Sequence, residues 1–269
     1  MHRLRSFGVV DLRDGEGGEL LPAGGDNAGL ALLAYLAVAR PAGVHDRDKL
    51  LALLWPGQAP ARAATALDET VDALETALGA GSIAGRDTES LGLDAERCSC
   101  DAAAFRTALD TGRTADALAL YRGDFLQGFT VESPEYQQWM RAERAVLRRQ
   151  AAHGARQLAD QHESRGRLTT AVTWAKRGLE LQFDDERVLR RLLRLLDRAG
   201  DRKTALRIYE RFSRKLHDDC AREPAPLTTE LVARIRRAGS VTNQEPGSAR
   251  VPGPGLPLDP PRPPTEHRI

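Results

Sequence analysis

Three residues of this chain find counterparts 34 positions further on: Leu158 recurs as Leu192, Gly166 as Gly200 and Ala171 as Ala205. That interval is the length of a tetratricopeptide unit, a pair of helices with its turns, and it sets small residues where paired helices come close. One such unit cannot bury its own apolar face, so the period demands helical hairpins stacked side by side. Around the repeat, residues 101–239 divide into amphipathic segments at 102–109, 115–121, 134–165, 167–181, 185–199, 202–219 and 226–238. Gly112, Gly166, Asp184-Asp185, Gly200 and Pro224-Ala225-Pro226 supply the turns between them. A composition with only 5% aromatic residues and abundant Ala, Leu and Arg favours helices over a β-sandwich in the same way. An array of this kind offers a groove to partner segments or partner copies and carries no intrinsic chemistry.

The first hundred residues follow another rhythm. Ser6 to Leu12 reads as a short strand, and the turn-rich stretch Asp14 to Asn27 leads to a helix from about Ala28 to Val38. A second helix runs from Asp46, its cap, to Trp55 before Pro56, and a third from Ala61 to Leu78, closed by Gly79. Ser82–Ala84 and Ser90–Leu93 then flank Gly85-Arg86-Asp87-Thr88-Glu89 as a hairpin. Strand, three helices and a closing hairpin is the order of a winged helix-turn-helix. The expected fold class is therefore mainly α. A winged helix at residues 1–98 precedes an all-α tetratricopeptide-like domain at 99–239 and a disordered tail at 240–269. Eight of the fifteen prolines fall in that tail, which has too few large apolar side chains to fold alone. Its Pro-x-x-Pro spacings, as at Pro254 and Pro257, suit either a solvated tail or a polyproline reader.

Charge divides the chain. Residues 1–100 hold nine Arg/Lys against fifteen Asp/Glu, and the remainder thirty against twenty-three, within a net charge of +1. Between Glu186 and Lys215 eleven basic residues face four acidic ones, with Arg187, Arg190, Arg191, Arg194 and Arg198 along a single helix. That face reads as solvated, as a contact for an acidic partner (the acidic helix 61–78 of the same or another copy included), or as a nucleic-acid surface, in that order. Three cysteines, Cys98, Cys100 and Cys220, do not make a disulfide framework, and Cys98-Ser99-Cys100 lacks the spacing and second ligand pair of a zinc site. No metal or other cofactor is expected, and the sparse thiols fit a reducing cytoplasm. No stretch approaches a membrane span and no signal-type apolar core follows the first residues, so a cytoplasmic protein without a membrane partner is expected.

A search for catalysis finds no support. Gly79-Ala80-Gly81 with Gly85 follows a helix and opens a hairpin, whereas pyrophosphate binding needs a strand before it and a helix after it. The six histidines show no metal-ligand spacing, and there is no Walker loop or nucleophile elbow. No enzyme activity is expected. Trp55, Trp139, Tyr136, Phe125 and Phe129 read as packing residues.

Several motifs together resemble the SARP-type transcriptional regulators, which join an OmpR-like winged helix to a bacterial transcriptional activation domain. Leu30-Ala31-Leu32-Leu33-Ala34-Tyr35-Leu36-Ala37, Asp46-Arg47-Asp48-Lys49-Leu50 and Leu53-Leu54-Trp55-Pro56 look like its first two DNA-domain helices. Leu120-Tyr121-Arg122-Gly123-Asp124-Phe125-Leu126-Gln127-Gly128-Phe129 and Glu135-Tyr136-Gln137-Gln138-Trp139-Met140-Arg141-Ala142-Glu143-Arg144 match the activation-domain signature, and the resemblance spans about residues 4–238. It implies binding to promoter DNA, usually as a homodimer, with the third helix in the major groove, the hairpin in the minor groove and RNA polymerase as a further partner. The residues placed at the DNA by this resemblance are Arg47, Lys49, Arg62, Thr65, Asp68, Glu69, Asp72 and Arg86.

The third helix departs from the family pattern. Its exposed face carries Asp68, Glu69, Asp72 and Glu75 with Arg62, and the loop Gly24-Gly25-Asp26-Asn27-Ala28-Gly29 lacks basic residues common there. Carboxylates accept from cytosine amino groups but are repelled by phosphates, so two readings stand. In one the chain is a DNA-binding transcription regulator. In the other it is a tetratricopeptide-like adaptor whose acidic winged helix does not bind DNA.

Overall fold

The computed structural model describes residues 1–22, 27–86 and 88–242. Gly24, Gly25 and Asp26 of the first loop, Asp87 of the hairpin turn and the Pro-rich segment from 243 onward lie outside the described residues.

The chain opens with β1 (His2–Arg5), β2 (Asp11–Arg13) and β3 (Glu19–Pro22), and β7 (Cys98–Cys100) completes a four-stranded sheet in the order β3-β2-β1-β7. β1 runs antiparallel to β2 and parallel to β7. The single strand expected over residues 6–12 is thus corrected to two. Gly8 adopts φ 82°, a value glycine tolerates without strain, and its amide turns away to the carbonyl of Asp124 at 3.1 Å. Leu4 and Leu12 then pair in register and are both fully buried. β3 falls inside the stretch read as turns, and β7 is made from Cys98-Ser99-Cys100, whose alternation buries both thiols. Burial pushes the Cys98 thiol up to about 11 and the Cys100 thiol up to about 12, so both stay protonated and unreactive at neutral pH.

Next come α1 (Asn27–Val38), β4 (His45–Asp46), α2 (Arg47–Leu54), α3 (Pro60–Leu78), β5 (Ile83–Ala84) and β6 (Ser90–Leu93). The Asp46 carboxylate accepts from the amide of Asp48 at 2.9 Å, capping α2, and Gly79 at φ 92° closes α3. The expected hairpin forms, and β4 adds to it in the order β4-β6-β5. α1 is buried nearly all round because α2, α3, β6 and α4 all pack against it.

The named elements of the second half are all helices: α4 (Asp101–Asp110), α5 (Thr114–Leu120), α6 (Pro134–Ser164), α7 (Leu168–Leu181), α8 (Glu186–Arg198), α9 (Arg202–Cys220) and α10 (Pro226–Thr242). Ser133, Asp185 and Asp201 cap α6, α8 and α9 through their side chains. Gly166 and Gly200 occupy equivalent turns at φ 71° and 78°, so the 34-residue period rests on a backbone geometry that favours glycine. No helix among the described residues is long and apolar enough to cross a membrane.

Two apolar cores result. One runs without a break from the N-terminal sheet and α1–α3 into α4–α6, and the other joins the end of α6 to α7–α10 around Leu189, Leu192, Leu193 and Phe212. The first core seats the N-terminal unit on α6. Tyr136, fully buried, donates to the carbonyl of Ala31 at 3.0 Å, and Ser133 donates to that of Leu53 at 2.6 Å. Buried Arg106 donates to the Val38 carbonyl at 2.7 Å and forms an ion pair with Glu143. Trp139 lies between the rings of Tyr35, Phe125 and Tyr136, at centroid distances of 4.8, 5.9 and 5.1 Å. The signature at 120–129 has a structural reason as well. It lies along the segment after β1: the Leu126 amide donates to the carbonyl of Ser6 at 2.7 Å, and a β-carbon on Gly123 would sit 2.8 Å from Gly8 Cα.

Candidate nucleic-acid interface

α3 is the element that the sequence reading sets against a duplex, and its sequence decides which side is exposed. Ala63, Leu67, Val71, Leu74 and Leu78 recur at helical spacing and are buried, while Arg62, Thr65, Asp68, Glu69 and Asp72 point outward. Proline at its first position suits a helix start, where an amide would be unsatisfied anyway.

The eight expected contact residues fall into three groups. The first is Arg47 with Asp68. Arg47 opens α2 beside the hairpin turn: its amide donates to the carbonyl of Glu89 at 2.8 Å, its guanidinium reaches the Arg86 carbonyl at 3.2 Å, and the same guanidinium forms an ion pair with Asp68. In the second group Arg86, at the hairpin turn, pairs with Asp72 and with Glu75, the latter at 2.9 Å. Glu75 also accepts from the amide of Gly81 at 2.9 Å. The Arg86 guanidinium, helped by that amide, holds the Glu75 carboxyl below the usual carboxylate range, and Glu75 and Asp72 in turn raise Arg86. The third group stands apart: Lys49, Arg62, Thr65 and Glu69 are all exposed, and among the described residues Lys49 and Arg62 have no carboxylate within ion-pair distance. The Thr65 hydroxyl turns back to the Ala61 carbonyl at 3.0 Å.

Two of the four cations expected at phosphates are therefore engaged by the helix they flank. The reason is local: Asp68, Asp72 and Glu75 follow one another at intervals of four and three, which lines them up on one side of α3, opposite the start of α2 and the hairpin turn. Asp68 and Asp72 are 60% and 54% open to solvent, so their pairs are weak and exchangeable, whereas the Glu75 side chain is only 14% open. Glu75 and the hairpin backbone at Glu89 are members of the site that the expected set left out. Their signal in the sequence is that same acidic spacing set against isolated arginines.

His45, in β4 behind this face, is buried against Tyr35 with ring centroids 5.1 Å apart. Its Nε2 has no hydrogen-bond partner among the described residues, and burial together with the charge of Lys49 lowers its pKa. The basic segment 186–215 does not receive the acidic face of α3. Arg191 instead pairs with Asp160 and Glu163, Arg198 with Glu163, and Arg202 with Asp197. No grouping of potential metal ligands occurs among the described residues.

Comparison with known proteins agrees with this architecture. The structure of Mycobacterium tuberculosis EmbR in complex with a low-affinity phosphopeptide shares the fold with a TM-score of 0.56 at 20% sequence identity, over 90% of this chain and 70% of that one. No curated protein matches the sequence. The family model described as the bacterial transcriptional activator domain matches residues 93–236, from the end of the hairpin into α10. With more than half of its length inside that match, the chain belongs to the bacterial transcriptional activator domain family.

Proposed function

We propose that the protein is a transcription regulator that binds promoter DNA through its N-terminal unit, an OmpR-like winged helix at residues 1–98. In this reading residues 99–239 hold the regulator in a homodimer or contact RNA polymerase, and no catalytic step is involved. The observation that carries the proposal is the presentation of α3: a 19-residue helix whose apolar side is buried and whose polar side is exposed along its length, with Arg62 in its first turn and Lys49 on α2 both exposed and without an ion pair among the described residues. A helix so displayed fits the width of the major groove, where Thr65, Asp68, Glu69 and Asp72 would meet base edges and the flanking cations would meet phosphates.

A second reading is favoured by a specific observation. The pairs Arg47–Asp68, Arg86–Asp72 and Arg86–Glu75 set three carboxylates against two guanidinium groups and leave this part of the face with an excess negative charge, as a protein-binding adaptor would tolerate and a phosphate-binding surface would not. Selection of bound fragments from total genomic DNA, at low and at moderate salt, separates the two. A sequence-enriched pool that weakens with salt and disappears with Arg62→Ala and Lys49→Ala supports the regulator. An unenriched pool under both conditions supports the adaptor.

A further inference from the structure

The strongest unassigned feature lies in the second half, away from α3. α7 and α9 both pack on α8 and leave a groove of about 780 Å3 between them. Its floor is apolar, made by Leu179, Phe183, Leu192 and Ile208. Its rim is basic: Lys176 on one side and Arg207, Arg211, Arg214 and Lys215 on the other, against the single carboxylate of Glu180. That carboxylate is turned to Arg177, 3.1 Å away. Among the described residues no carboxylate comes within ion-pair distance of Lys176, Arg207, Arg211 or Arg214, in contrast to the paired arginines of α8. The Lys215 ammonium lies 4.3 Å from the centroid of the Phe183 ring and 4.0 Å from the Asp219 carboxylate, so it covers one end of the floor. The field of this rim is felt by Asp201, whose carboxyl is held below the usual range first by hydrogen bonds from Thr204 and then by the charges of Lys176 and Arg207.

We infer that this groove docks an acidic amphipathic helix of a partner protein. The basic side of α9 from Thr204 to Lys215 covers eleven residue steps, roughly 17 Å or three turns, which matches apolar anchors at i, i+3 or i+4, and i+7 on the incoming helix. The anchors would meet Leu179, Phe183, Leu192 and Ile208, and carboxylates on the flanks would meet the rim. The chain's own acidic helix does not qualify, because the exposed side of α3 carries Arg62, Thr65, Asp68, Glu69 and Asp72 and no large apolar residue. This site is independent of whether α3 meets DNA.

The test uses the full chain and fluorescence anisotropy with three labelled probes. They are an 18-residue peptide with Leu and Phe at helical spacing among Asp and Glu, a scramble of the same composition, and a random-sequence duplex of 20 base pairs. The amphipathic peptide should bind at least tenfold tighter than the scramble. Arg207→Glu with Arg211→Glu should weaken it at least tenfold, as should Ile208→Gln, while Arg187→Glu with Arg194→Glu on α8 leaves it unchanged. Circular dichroism and melting establish that each variant is folded. Equal binding of peptide and scramble, insensitivity to the α9 variants, or loss of duplex binding in those variants with no peptide binding at all would overturn the inference.

Discussion

If the carboxylates of α3 compete with phosphate for Arg47 and Arg86, neutralising them should turn a weak DNA-binding face into a stronger one. The variant Asp68→Asn, Asp72→Asn, Glu75→Gln keeps the side-chain shapes, keeps an acceptor for the Gly81 amide and frees both guanidinium groups. Every further phosphate that the protein neutralises steepens the dependence of log Kd on log salt by about 0.9, so two arginines newly free to reach phosphates add about 1.8. Between about 50 and 200 mM salt, roughly a fourfold change, that slope corresponds to about a 12-fold larger loss of affinity than in the parent chain, starting from tighter binding at the low-salt end. Fluorescence anisotropy with one labelled duplex over that salt range measures the slope. Because Asp68 and Asp72 are solvent-exposed and Glu75→Gln keeps the acceptor for the Gly81 amide, circular dichroism should show an unchanged fold. A folded triple variant with the parental slope and affinity would refute the reasoning that these carboxylates hold the two arginines away from DNA.

Other consequences concern the platform beneath the face. Arg106→Ala removes a buried guanidinium from Glu143 and from the Val38 carbonyl, and should destabilise the chain by about 3–5 kcal/mol in urea unfolding. Gly123→Ala forces a β-carbon against Gly8 and should destabilise by about 1–3 kcal/mol, read as a lower melting temperature. His45 has a folded pKa below its ordinary value of 6.5, so the unfolded chain takes up the proton first. Its contribution is present above pH 6.5 and is lost as pH falls through and below that value; the pH dependence of melting between about pH 5 and 8 should flatten in His45→Gln.

The helical half was largely legible because its signals are local. The turn glycines at 166 and 200 adopt positive φ, and the capping residues Asp185 and Asp201 satisfy amides a few positions away. The small sheet was not, because its strands depend on distant partners. β3 pairs with β2 inside a glycine-rich stretch, and β7 pairs with β1 across almost the whole N-terminal unit. The same holds for the candidate site. The acidic side of α3 was visible at its helical spacing, whereas its pairing to Arg47 and Arg86 depends on how α2 and the hairpin fold back against it. The Arg122-Gly123-Asp124-Phe125 motif was recognisable as a signature, but its packing against Gly8 is a close backbone approach that only the folded chain reveals.

Whether α3 lies against a duplex is tested most directly by photocrosslinking from the exposed face of its first half. A benzoylphenylalanine introduced at Thr65, exposed between Arg62 and Asp68, should crosslink to labelled genomic DNA at physiological salt, while the same group at exposed Thr173 on α7 should not. Equal DNA labelling from both positions, or none from Thr65, would contradict the account.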